Sequence, residues 1–423
     1  MTTRREFLGT TGRLTTAAAA ATSLTGLLRA ADDKKPPAVH PGGNGEIRLA
    51  LIGCGGRGGG AAADALSVAG APIKLVALAD VFKPRADIVK RSLGEQFKDR
   101  VDVPDDRIFV GFDAYRKAID SLRPGDIACF ATPVAFRAVQ LAYAIEKGVH
   151  AFMEKPISLD GPSTKRMLEL APLADAKNLK VGVGLMCRHC DRRRELFDRL
   201  RNGEAGELLS FHGYREGNPP HNLDLAPGPA GMSELLWQVK RFHNFLWASG
   251  GIFSDYYVHH IDEVCWMKNA WPVLAQGTGG RNLRGKIDDQ NFDNYGIEYT
   301  FADDTKFFYY GRSTKNCEQR FGVYGQGTKG AFTISTSGHS PARSAIYKGP
   351  KSDKEHVLWA AQQPEPNPYR QEWQHLVAAI LSGEPYNEIV RGAQASMVTA
   401  MGRFAAHTGK PITYDEMLAS PDD

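Results

Sequence analysis

The chain has 423 residues, of which 42% are hydrophobic and 24% charged, a composition typical of globular domains and unlike that of disordered, collagenous or coiled-coil proteins. Its formal net charge is +4, and it falls to +1 without residues 1–31, which carry four arginines and one glutamate. Such a near-neutral body gives no electrostatic reason to expect nucleic acid as a partner. No run of residues approaches the roughly 18 apolar positions of a membrane span, so no stable span is expected.

The first 31 residues have the pattern of an export signal. The pair Arg4-Arg5 is followed by a phenylalanine, a leucine and then a weakly apolar, alanine-rich stretch over 14–28, which is typical of a twin-arginine signal. Residues 1–31 are therefore predicted to be this signal, and the proline-containing residues 32–45 a linker. We expect a periplasmic or otherwise exported protein with the twin-arginine (Tat) machinery as a partner. Because that route carries folded proteins, any cofactor would have to stay bound.

The body of the chain begins with a strand, a glycine-rich turn and a helix. Ile47–Ile52 is a short β-rich run, Gly53-Cys54-Gly55-Gly56-Arg57-Gly58 follows directly, and small residues continue in a helical pattern. The next apolar run, 73–79, ends in Asp80, which lies 22 residues after Gly58. This order of strand, glycine loop, helix and strand with a terminal acid predicts a dinucleotide-binding unit.

Each part of this unit has a physical role in holding a dinucleotide. Gly53 permits the tight turn, Gly55 lets backbone N–H groups approach the diphosphate, and Gly58 lets the helix pack closely on the strand. The helix N-terminus then faces the phosphates. Asp80 can accept hydrogen bonds from both ribose hydroxyls and would repel a 2′-phosphate, so NAD is favoured over NADP as the cofactor.

The following segments continue to alternate between strand and helix. An apolar run over 127–131 ends at Thr132-Pro133, a helical pattern follows, and a further strand ends in Glu154-Lys155-Pro156. This alternation predicts an α/β fold with a doubly wound parallel sheet, in which the carboxyl ends of the strands line the ligand crevice. We therefore expect Asp80, Thr132 and Lys155 to lie along one edge of the sheet.

Three motifs together resemble those of the Gfo/Idh/MocA oxidoreductases. They are Gly53-x-Gly55-x-x-Gly58, Glu154-Lys155-Pro156 and Asp255-x-x-x-His259-x-x-Asp262. The resemblance implies an N-terminal Rossmann domain, placed at 46–165, and a C-terminal α+β domain at 166–418 with a large, mostly antiparallel open sheet. It also implies a homo-oligomer, because members of this family commonly assemble through the exposed face of that sheet.

The C-terminal half agrees with such a sheet. Aromatic and β-branched residues fill 292–301 and 305–310, with the turn signal Asp303-Asp304 between them, which predicts a hairpin. The run Phe307-Phe308-Tyr309-Tyr310 is expected on an exposed sheet face, where it would suit burial in an oligomer. Helical patterns return near the C-terminus, over 369–381 and 391–407.

The resemblance also implies roles in hydride transfer. If residues 255–267 are helical, Asp255 and His259 project from one face into one site. His259 suits the base that accepts the hydroxyl proton, because the pKa of histidine lies near neutral pH. Lys155 would hydrogen-bond or polarise the substrate oxygen, and Asp255 would orient the substrate. The predicted cofactor-binding residues are Gly53, Cys54, Gly55, Gly56, Arg57, Gly58, Asp80, Thr132, Pro133, Glu154 and Lys155.

Four further residues are predicted to contact the substrate: Arg188, His189, Trp237 and His260. The first two occupy a place where relatives carry a polar contact, and Trp237 lies in a long segment whose rings could stack on a sugar. Arg137 departs from the family pattern, and contact with the cofactor, contact with an anionic substrate group and exposure to solvent all remain open. No metal is expected, since the histidines and aspartates here lack a metal-binding motif.

The leading functional hypothesis is an NAD-dependent oxidoreductase that transfers hydride between a tightly bound nicotinamide cofactor and a hydroxyl of a sugar, polyol or glycoside. The alternative is a redox-neutral, NAD-dependent glycoside hydrolase that acts by oxidation and elimination. A non-catalytic dinucleotide-binding protein is the third hypothesis. A small-molecule carbohydrate is the expected substrate in the first two cases, and loss of Lys155 separates them from the third.

Overall fold

Two β-sheets, each covered by helices, organise the residues that the structure describes. The structure is a computed structural model, and it describes residues 45–219, 230–282 and 289–421. The predicted twin-arginine signal, and the predicted linker except its last residue, lie outside the described residues. Among the helices of these three ranges, none has the length and hydropathy that a membrane crossing requires.

The N-terminal half forms a six-stranded parallel sheet. Its strands are β1 (Ile47–Ile52), β2 (Ile73–Asp80), β3 (Ile108–Val110), β4 (Ile127–Phe130), β5 (His150–Met153) and β6 (Val181–Val183). The helices between them are α1 (Gly56–Leu66), α2 (Lys83–Phe97), α3 (Ala114–Asp120), α4 (Arg137–Glu146) and α5 (Gly161–Ala176). The strand order is β3-β2-β1-β4-β5-β6, and the inner strands are apolar and buried on both faces, as a parallel sheet with helices on both sides requires. This confirms the predicted doubly wound Rossmann sheet.

The N-terminal domain is longer than the sequence patterns indicate. Helix α5 runs through the boundary expected at residue 165, and β6 pairs with β5 as the last parallel strand. The sequence Val181-Gly182-Val183 is too short to show a strand pattern, which explains why the expected boundary is placed too early. The domain therefore extends past β6.

The second half forms a nine-stranded, mostly antiparallel sheet. Its strands are β7 (Leu208–Gly217), β8 (Leu274–Gly280), β9 (Asn294–Thr300), β10 (Lys306–Ser313), β11 (Arg320–Gly327), β12 (Ala331–Thr336), β13 (Ala345–Tyr347), β14 (Val357–Ala360) and β15 (Ile412–Thr413). Their order is β14-β13-β12-β11-β7-β10-β9-β8-β15, with β7 and β10 paired in parallel. The helices are α6 (Asp191–Arg201), α7 (Glu234–Lys240), α8 (Leu246–Ser249), α9 (Gly251–Lys268), α10 (Pro368–Ser382), α11 (Ile389–Thr408) and α12 (Tyr414–Ala419). The predicted open sheet is thereby confirmed.

Strand β10 shows that this sheet has two different faces. Phe307 and Tyr309 are fully buried in the core between sheet and helices, whereas Tyr310 is 43% exposed. Because side chains alternate between the two faces of a strand, the four aromatic residues expected on one exposed face are divided, and only Phe308 and Tyr310 lie on the open face. The predicted β9–β10 hairpin is confirmed, with Asp304 in the left-handed conformation at φ 64°.

Helices α9, α10 and α11 from the C-terminal half contribute to the cores that cover the N-terminal sheet. In α9, Val258 belongs to a core formed with the parallel sheet, whereas Ile261 belongs to the core of the second sheet. In α10, Trp373 stacks on Phe152 of β5, with ring centroids 4.3 Å apart. The domains are therefore not separate along the chain, since the range expected for the second domain also supplies helices to the first.

Candidate active site

A cavity of about 760 Å³ opens at the carboxyl edge of the parallel sheet. Residues that follow β1, β2, β4 and β5 line one side of it, which confirms that Asp80, Thr132 and Lys155 share this edge. The opposite side is built from β7, α9 and the segment 239–244. The two halves of the chain therefore enclose the cavity together.

The glycine loop after β1 has the shape of a diphosphate cradle. Gly53 has φ +95°, and a Cβ atom on Gly58 would lie 1.9 Å from the Gly53 carbonyl oxygen. Gly55 and Gly56, by contrast, have open space around them and line the cavity. Helix α1 starts at Gly56 with no side-chain cap and no acidic residue in its first turn, so its first N–H groups can bind an anion. The loop therefore fits a dinucleotide diphosphate.

Asp80 is fixed beside this loop by two backbone N–H groups. Cys54 donates to Oδ2 at 2.7 Å, and Phe82 donates to Oδ1 at 2.8 Å. The carboxylate lines the cavity together with Arg85. Because a carboxylate oxygen can accept more than one hydrogen bond, Asp80 can still bind ribose hydroxyls, and the residues present fit NAD.

Arg57 and Glu154, both predicted to bind the cofactor, are paired with each other. Nε of Arg57 lies 2.7 Å from Oε1 of Glu154, and Nη2 lies 3.1 Å from Oδ2 of Asp64. The ring of Tyr369, from α10, packs 4.8 Å from the same guanidinium. Both residues of the pair line the cavity, and the pair ties the glycine loop to the end of β5.

Lys155 and Asp255 form an ion pair in the cavity wall. Nζ of Lys155 lies 3.3 Å from Oδ1 of Asp255 and also donates to the backbone carbonyl of that residue. The other carboxylate oxygen lies 3.1 Å from Nε2 of His243. Burial alone would raise the pKa of Asp255, but Lys155, His243 and Arg137 outweigh burial and lower the pKa far below its usual value. Asp255 is therefore ionised and holds the Lys155 ammonium by charge.

The structure shows what Arg137 does. Its guanidinium is buried and donates hydrogen bonds to the backbone carbonyls of Thr132, Glu154 and Pro156. The last two residues flank Lys155 in the chain. Burial lowers the pKa of Arg137 to about 10, so the side chain stays charged at neutral pH. Arg137 therefore holds the turn that carries Lys155, and it does not project into solvent.

His259 lies one helical turn beyond Asp255 on α9 and lines the same cavity. Only 7% of its surface is exposed, and its Nδ1 has no hydrogen-bond partner within the described residues. Burial first, and then nearby basic groups, lower the pKa of His259 well below 6.5. These groups are His339, Lys155, Arg215 and His260. The imidazole is therefore neutral at neutral pH and can accept a proton.

Arg215 and His339 are among the cavity residues that the sequence patterns do not indicate. Arg215 lies on β7, and His339 lies in the loop that follows β12. Nη1 of Arg215 donates to Nε2 of His339 at 2.8 Å, which requires a neutral His339 with its proton on Nδ1. Neither residue belongs to a local motif, and only the strand pairing of the second sheet brings them together. Single-sequence patterns therefore contain no signal for them.

Arg188 and His189, two of the predicted substrate contacts, do not line the cavity. Nε and Nη2 of Arg188 bind the carboxylate of Asp262 at 2.8 and 2.7 Å. Nδ1 of His189 lies 2.8 Å from Nδ1 of His375, and Nε2 of His189 lies 3.3 Å from Oε1 of Glu388. A short 3-10 turn directs both side chains towards neighbouring helices, so they serve packing between elements.

His260 and Trp237 do not line the cavity either. Adjacent residues of a helix point about 100° apart, so when His259 faces the cavity, His260 packs against Phe321 with ring centroids 4.5 Å apart. Trp237 lies on α7, with the guanidinium of Arg241 over its ring at 5.3 Å. The predicted contacts of His260 and Trp237 with the substrate are not supported by this geometry.

A buried cluster next to His339 has the residue types of a metal site but is occupied by arginines. Atoms of Cys187, Glu263 and His339 lie within 4.8 Å of one another, and Cys187 is a free thiol. Nε of Arg193 lies 3.1 Å from Oε1 of Glu263, and both side chains are fully buried. Because Arg193 neutralises the carboxylate and Arg215 binds the imidazole, the cluster does not fit a cation.

A protein-family model matches part of the chain, and a known dehydrogenase matches most of it. Residues 47–185 match the Gfo/Idh/MocA family model, described as an oxidoreductase family with an NAD-binding Rossmann fold. The chain is 26% identical over 390 residues to the NAD(+)-dependent scyllo-inositol 2-dehydrogenase of Bacillus subtilis, which covers 88% of this chain and 97% of that protein.

Solved structures share the fold over most of the chain. The aldose-aldose oxidoreductase of Caulobacter crescentus is similar with a TM-score of 0.65 and 17% identity, covering 87% of this chain and 99% of that one. The scyllo-inositol dehydrogenase of Lactobacillus casei, solved with NAD(H) and scyllo-inositol, is similar with a TM-score of 0.63 and 20% identity, covering 88% and 99%. At these identities the likeness shows a common fold.

Proposed function

Because the chain is an oxidoreductase whose residues 47–185 form an NAD-binding Rossmann domain of the Gfo/Idh/MocA family, we propose that it oxidises a hydroxyl group of a polyol or sugar with NAD. One observation carries this proposal. Lys155 and His259, a cation and a neutral base, line the same cavity as the glycine loop and Asp80.

The chain has residues suited to each part of the cofactor. The glycine loop and the start of α1 would hold the diphosphate, and Asp80 would hold a ribose. Thr132 and Pro133, which line the same edge of the cavity after β4, would contact the bound cofactor. When bound, NAD supplies the hydride acceptor. The side chains around Lys155 would position the substrate, stabilise the charge on its oxygen and remove the hydroxyl proton.

Lys155 supplies positive charge at the reacting oxygen. Its ammonium can donate a hydrogen bond to the hydroxyl oxygen of the substrate, and this bond strengthens as negative charge develops there during oxidation. Asp255 holds the ammonium through its carboxylate, which His243 orients. Arg137 holds the backbone on both sides of Lys155. The charge is therefore positioned before the substrate binds.

His259 accepts the hydroxyl proton at a ring nitrogen. It is neutral because burial and nearby cations lower its pKa, so it is in the proton-accepting form before the substrate arrives. The same cations destabilise the resulting imidazolium, so it releases the proton to water after the oxidation. Lys155 thus stabilises the negative charge on the substrate oxygen, and His259 removes the proton from that oxygen.

The choice of a polyol or sugar is supported by the relatives and by the cavity wall. The Bacillus subtilis relative is named for scyllo-inositol and the Caulobacter crescentus structure for aldoses. The cavity wall also carries hydrogen-bonding side chains, among them Gln140, His243 and Asn244, which suit hydroxyl groups.

Export and retention of NAD are a further part of the proposal. The support is the twin-arginine pattern of residues 1–31, because export would separate the protein from the cellular NAD pool. Comparing the location of the protein in cells with and without a Tat translocase tests export. Cytoplasmic protein in both strains would contradict it.

We also propose a homo-oligomer formed through the open face of the nine-stranded sheet. Phe308 and Tyr310 lie on that face, with ring centroids 5.2 Å from His212 and 5.6 Å from Tyr214, and such an aromatic patch is costly to leave in water. Light scattering of the wild type and of Tyr310→Glu tests this assembly. A monomeric wild type would contradict it.

The proposed oxidation is tested with purified protein, NAD and a panel of inositols, aldoses and glycosides. Reduced nicotinamide is followed by absorbance, and products are identified by mass spectrometry. A ketone formed in proportion to reduced cofactor supports the proposal. Free sugar released from glycosides without lasting reduction would instead indicate the hydrolase, and bound NAD with no product from any compound would indicate a binding protein.

A further inference from the structure

The mechanism proposed above uses Arg215 only as a neighbour of His259. Arg215 is half-buried on β7 and lines the cavity, where its Nη1 donates to the Tyr256 carbonyl at 3.1 Å and to Nε2 of His339 at 2.8 Å. Within the described residues, Nε and Nη2 have no hydrogen-bond partner. One edge of the guanidinium is therefore free to bind a ligand.

Two aromatic rings hold this guanidinium in place. The ring centroids of Tyr256 and Phe321 lie 5.4 and 5.3 Å from its central carbon. Contacts of this kind restrict a guanidinium without neutralising its charge. Arg215 is therefore a positioned cation rather than a mobile surface side chain.

Among the residues that the structure describes, none offers a carboxylate that balances the charge of Arg215. No carboxylate of the described ranges comes within 4.0 Å of its nitrogens. The acidic residues that line the cavity are engaged by other partners; they are Asp80, Glu154 and Asp255. His339 and His259, on the same side of the cavity, are neutral and contribute no negative charge. The end of the cavity that holds the proton acceptor therefore has an excess of positive charge.

We propose that Arg215 binds a carboxylate of the substrate, so that the enzyme prefers sugar acids to neutral sugars and polyols. The free edge formed by Nε and Nη2 matches the two oxygens of a carboxylate, which arginine binds in a bidentate pair. The inference rests on the proposed function, because the same molecule must present a hydroxyl group to Lys155 and His259.

The experiment compares matched pairs of ligands on the protein loaded with NADH. Isothermal titration calorimetry measures binding of glucose against glucuronate and of galactose against galacturonate, with glucose 6-phosphate as a different anion. The proteins are the wild type, Arg215→Met and Arg215→Lys. Arg312→Met is the matched control, since Arg312 lies on the neighbouring strand β10 and does not line the cavity. Thermal unfolding verifies that each variant is folded.

We expect the wild type and Arg312→Met to bind at least one acid about tenfold more tightly than its neutral partner, as a charge-assisted bidentate contact would give. In Arg215→Met this preference disappears, so that each acid and its neutral partner bind alike, and Arg215→Lys keeps part of it. Equal binding of acids and neutral sugars, binding of no acid, or a preference retained in Arg215→Met would overturn the inference. A preference for the phosphate alone would also overturn it.

Reduction of NAD by the same ligands tests the proposed function separately, because calorimetry measures binding and needs no turnover. Acids that bind through Arg215 but never reduce NAD would support the inference and contradict the proposed oxidation. If neutral sugars reduce NAD and the protein shows no preference for acids, the proposed oxidation is supported and the inference about Arg215 is contradicted.

Discussion

Lys155 and Asp255 are 100 positions apart in the chain, yet Nζ of the lysine lies 3.3 Å from Oδ1 of the aspartate. Lys155 follows the parallel strand β5, and Asp255 lies on α9, which packs on both sheets. Each side chain is only 14% exposed, so water screens the pair less than it screens a surface ion pair. The ion pair joins the two halves of the chain at the point where the substrate oxygen would bind.

Replacement of Lys155 tests whether its charge acts on the reaction. We expect Lys155→Met to lower kcat/KM for the best polyol or sugar by at least about 100-fold, as loss of a preorganised donor does, with a much smaller change in NAD affinity. Steady-state kinetics and cofactor titration measure the two effects. Lys147→Met is the control, because Lys147 pairs with Asp120 at the surface. Full activity of Lys155→Met would show that the assignment is wrong.

Arg137 is predicted to act through Lys155 rather than on the substrate. In Arg137→Met the buried carbonyls of Thr132, Glu154 and Pro156 lose their donor, which we expect to cost about 2–4 kcal/mol of unfolding free energy. The turn around Lys155 would also loosen, so kcat should fall more than the affinity for NAD. Urea unfolding and kinetics measure both, with the exposed Arg116→Met as control. Unchanged stability together with unchanged kcat would refute this role.

The rate of the reaction should respond to pH in a way set by His259. Since burial and neighbouring cations lower the pKa of His259 well below 6.5, the base stays neutral in mildly acidic solution. We expect kcat/KM to show no loss as the pH falls from 7.5 to about 6, where an ordinary histidine would be half protonated or more. A pH–rate profile with an inflection at or above pH 6.5 would contradict this. In His259→Gln, kcat should fall by at least about 100-fold at every pH in this range.

Folding stability should also fall in mild acid, with a sign that follows from the buried histidines. Burial is the main cause of the lowered pKa of His259, His260 and His339. Between those low values and 6.5 the unfolded chain binds protons that the folded chain does not, so stability is complete above pH 6.5 and is lost as the pH falls below it.

Urea unfolding at several pH values between 7.5 and 5.5 measures this loss for the wild type and His260→Gln. We expect the variant to lose less stability, with a slope that is lower by up to about 1.4 kcal/mol per pH unit at the acid end of this range, where the unfolded histidine binds nearly one full proton. The difference between the two proteins isolates His260 from other buried groups such as Glu372, whose pKa is raised by burial. Identical slopes would mean that His260 already carries a proton in the folded protein.

Much of this site could be predicted from sequence because its parts are local. The spacing of Gly53, Gly58 and Asp80 follows from one strand–helix–strand unit, and Lys155 ends a parallel strand, so the rule that strand ends meet at one edge places them together. Asp255 and His259 are four residues apart, which on a helix means one face. In each case a short stretch of chain determines the geometry.

The remaining features depend on long-range strand pairing or on which face of a helix or strand each residue occupies. Arg215 and His339 meet only because strands far apart in sequence pair in the second sheet. The prediction that His260 lies at the site beside His259 is not supported, because the helical period directs the two side chains about 100° apart. The division of Phe307 and Phe308 between two faces follows from the strand period of two, so that pattern was available in the sequence.

The proposed reaction moves a hydride from a carbinol carbon of the substrate to NAD in this cavity. In the most direct measurement, the purified protein is incubated with NAD and with inositols, sugars and sugar acids that carry deuterium on their carbinol carbons. The mass of the cofactor is then determined by mass spectrometry. We expect the wild type to give reduced cofactor that carries one deuterium, and Lys155→Met to give almost none. Cofactor that stays unlabelled with every compound, while remaining bound to folded protein, would contradict it.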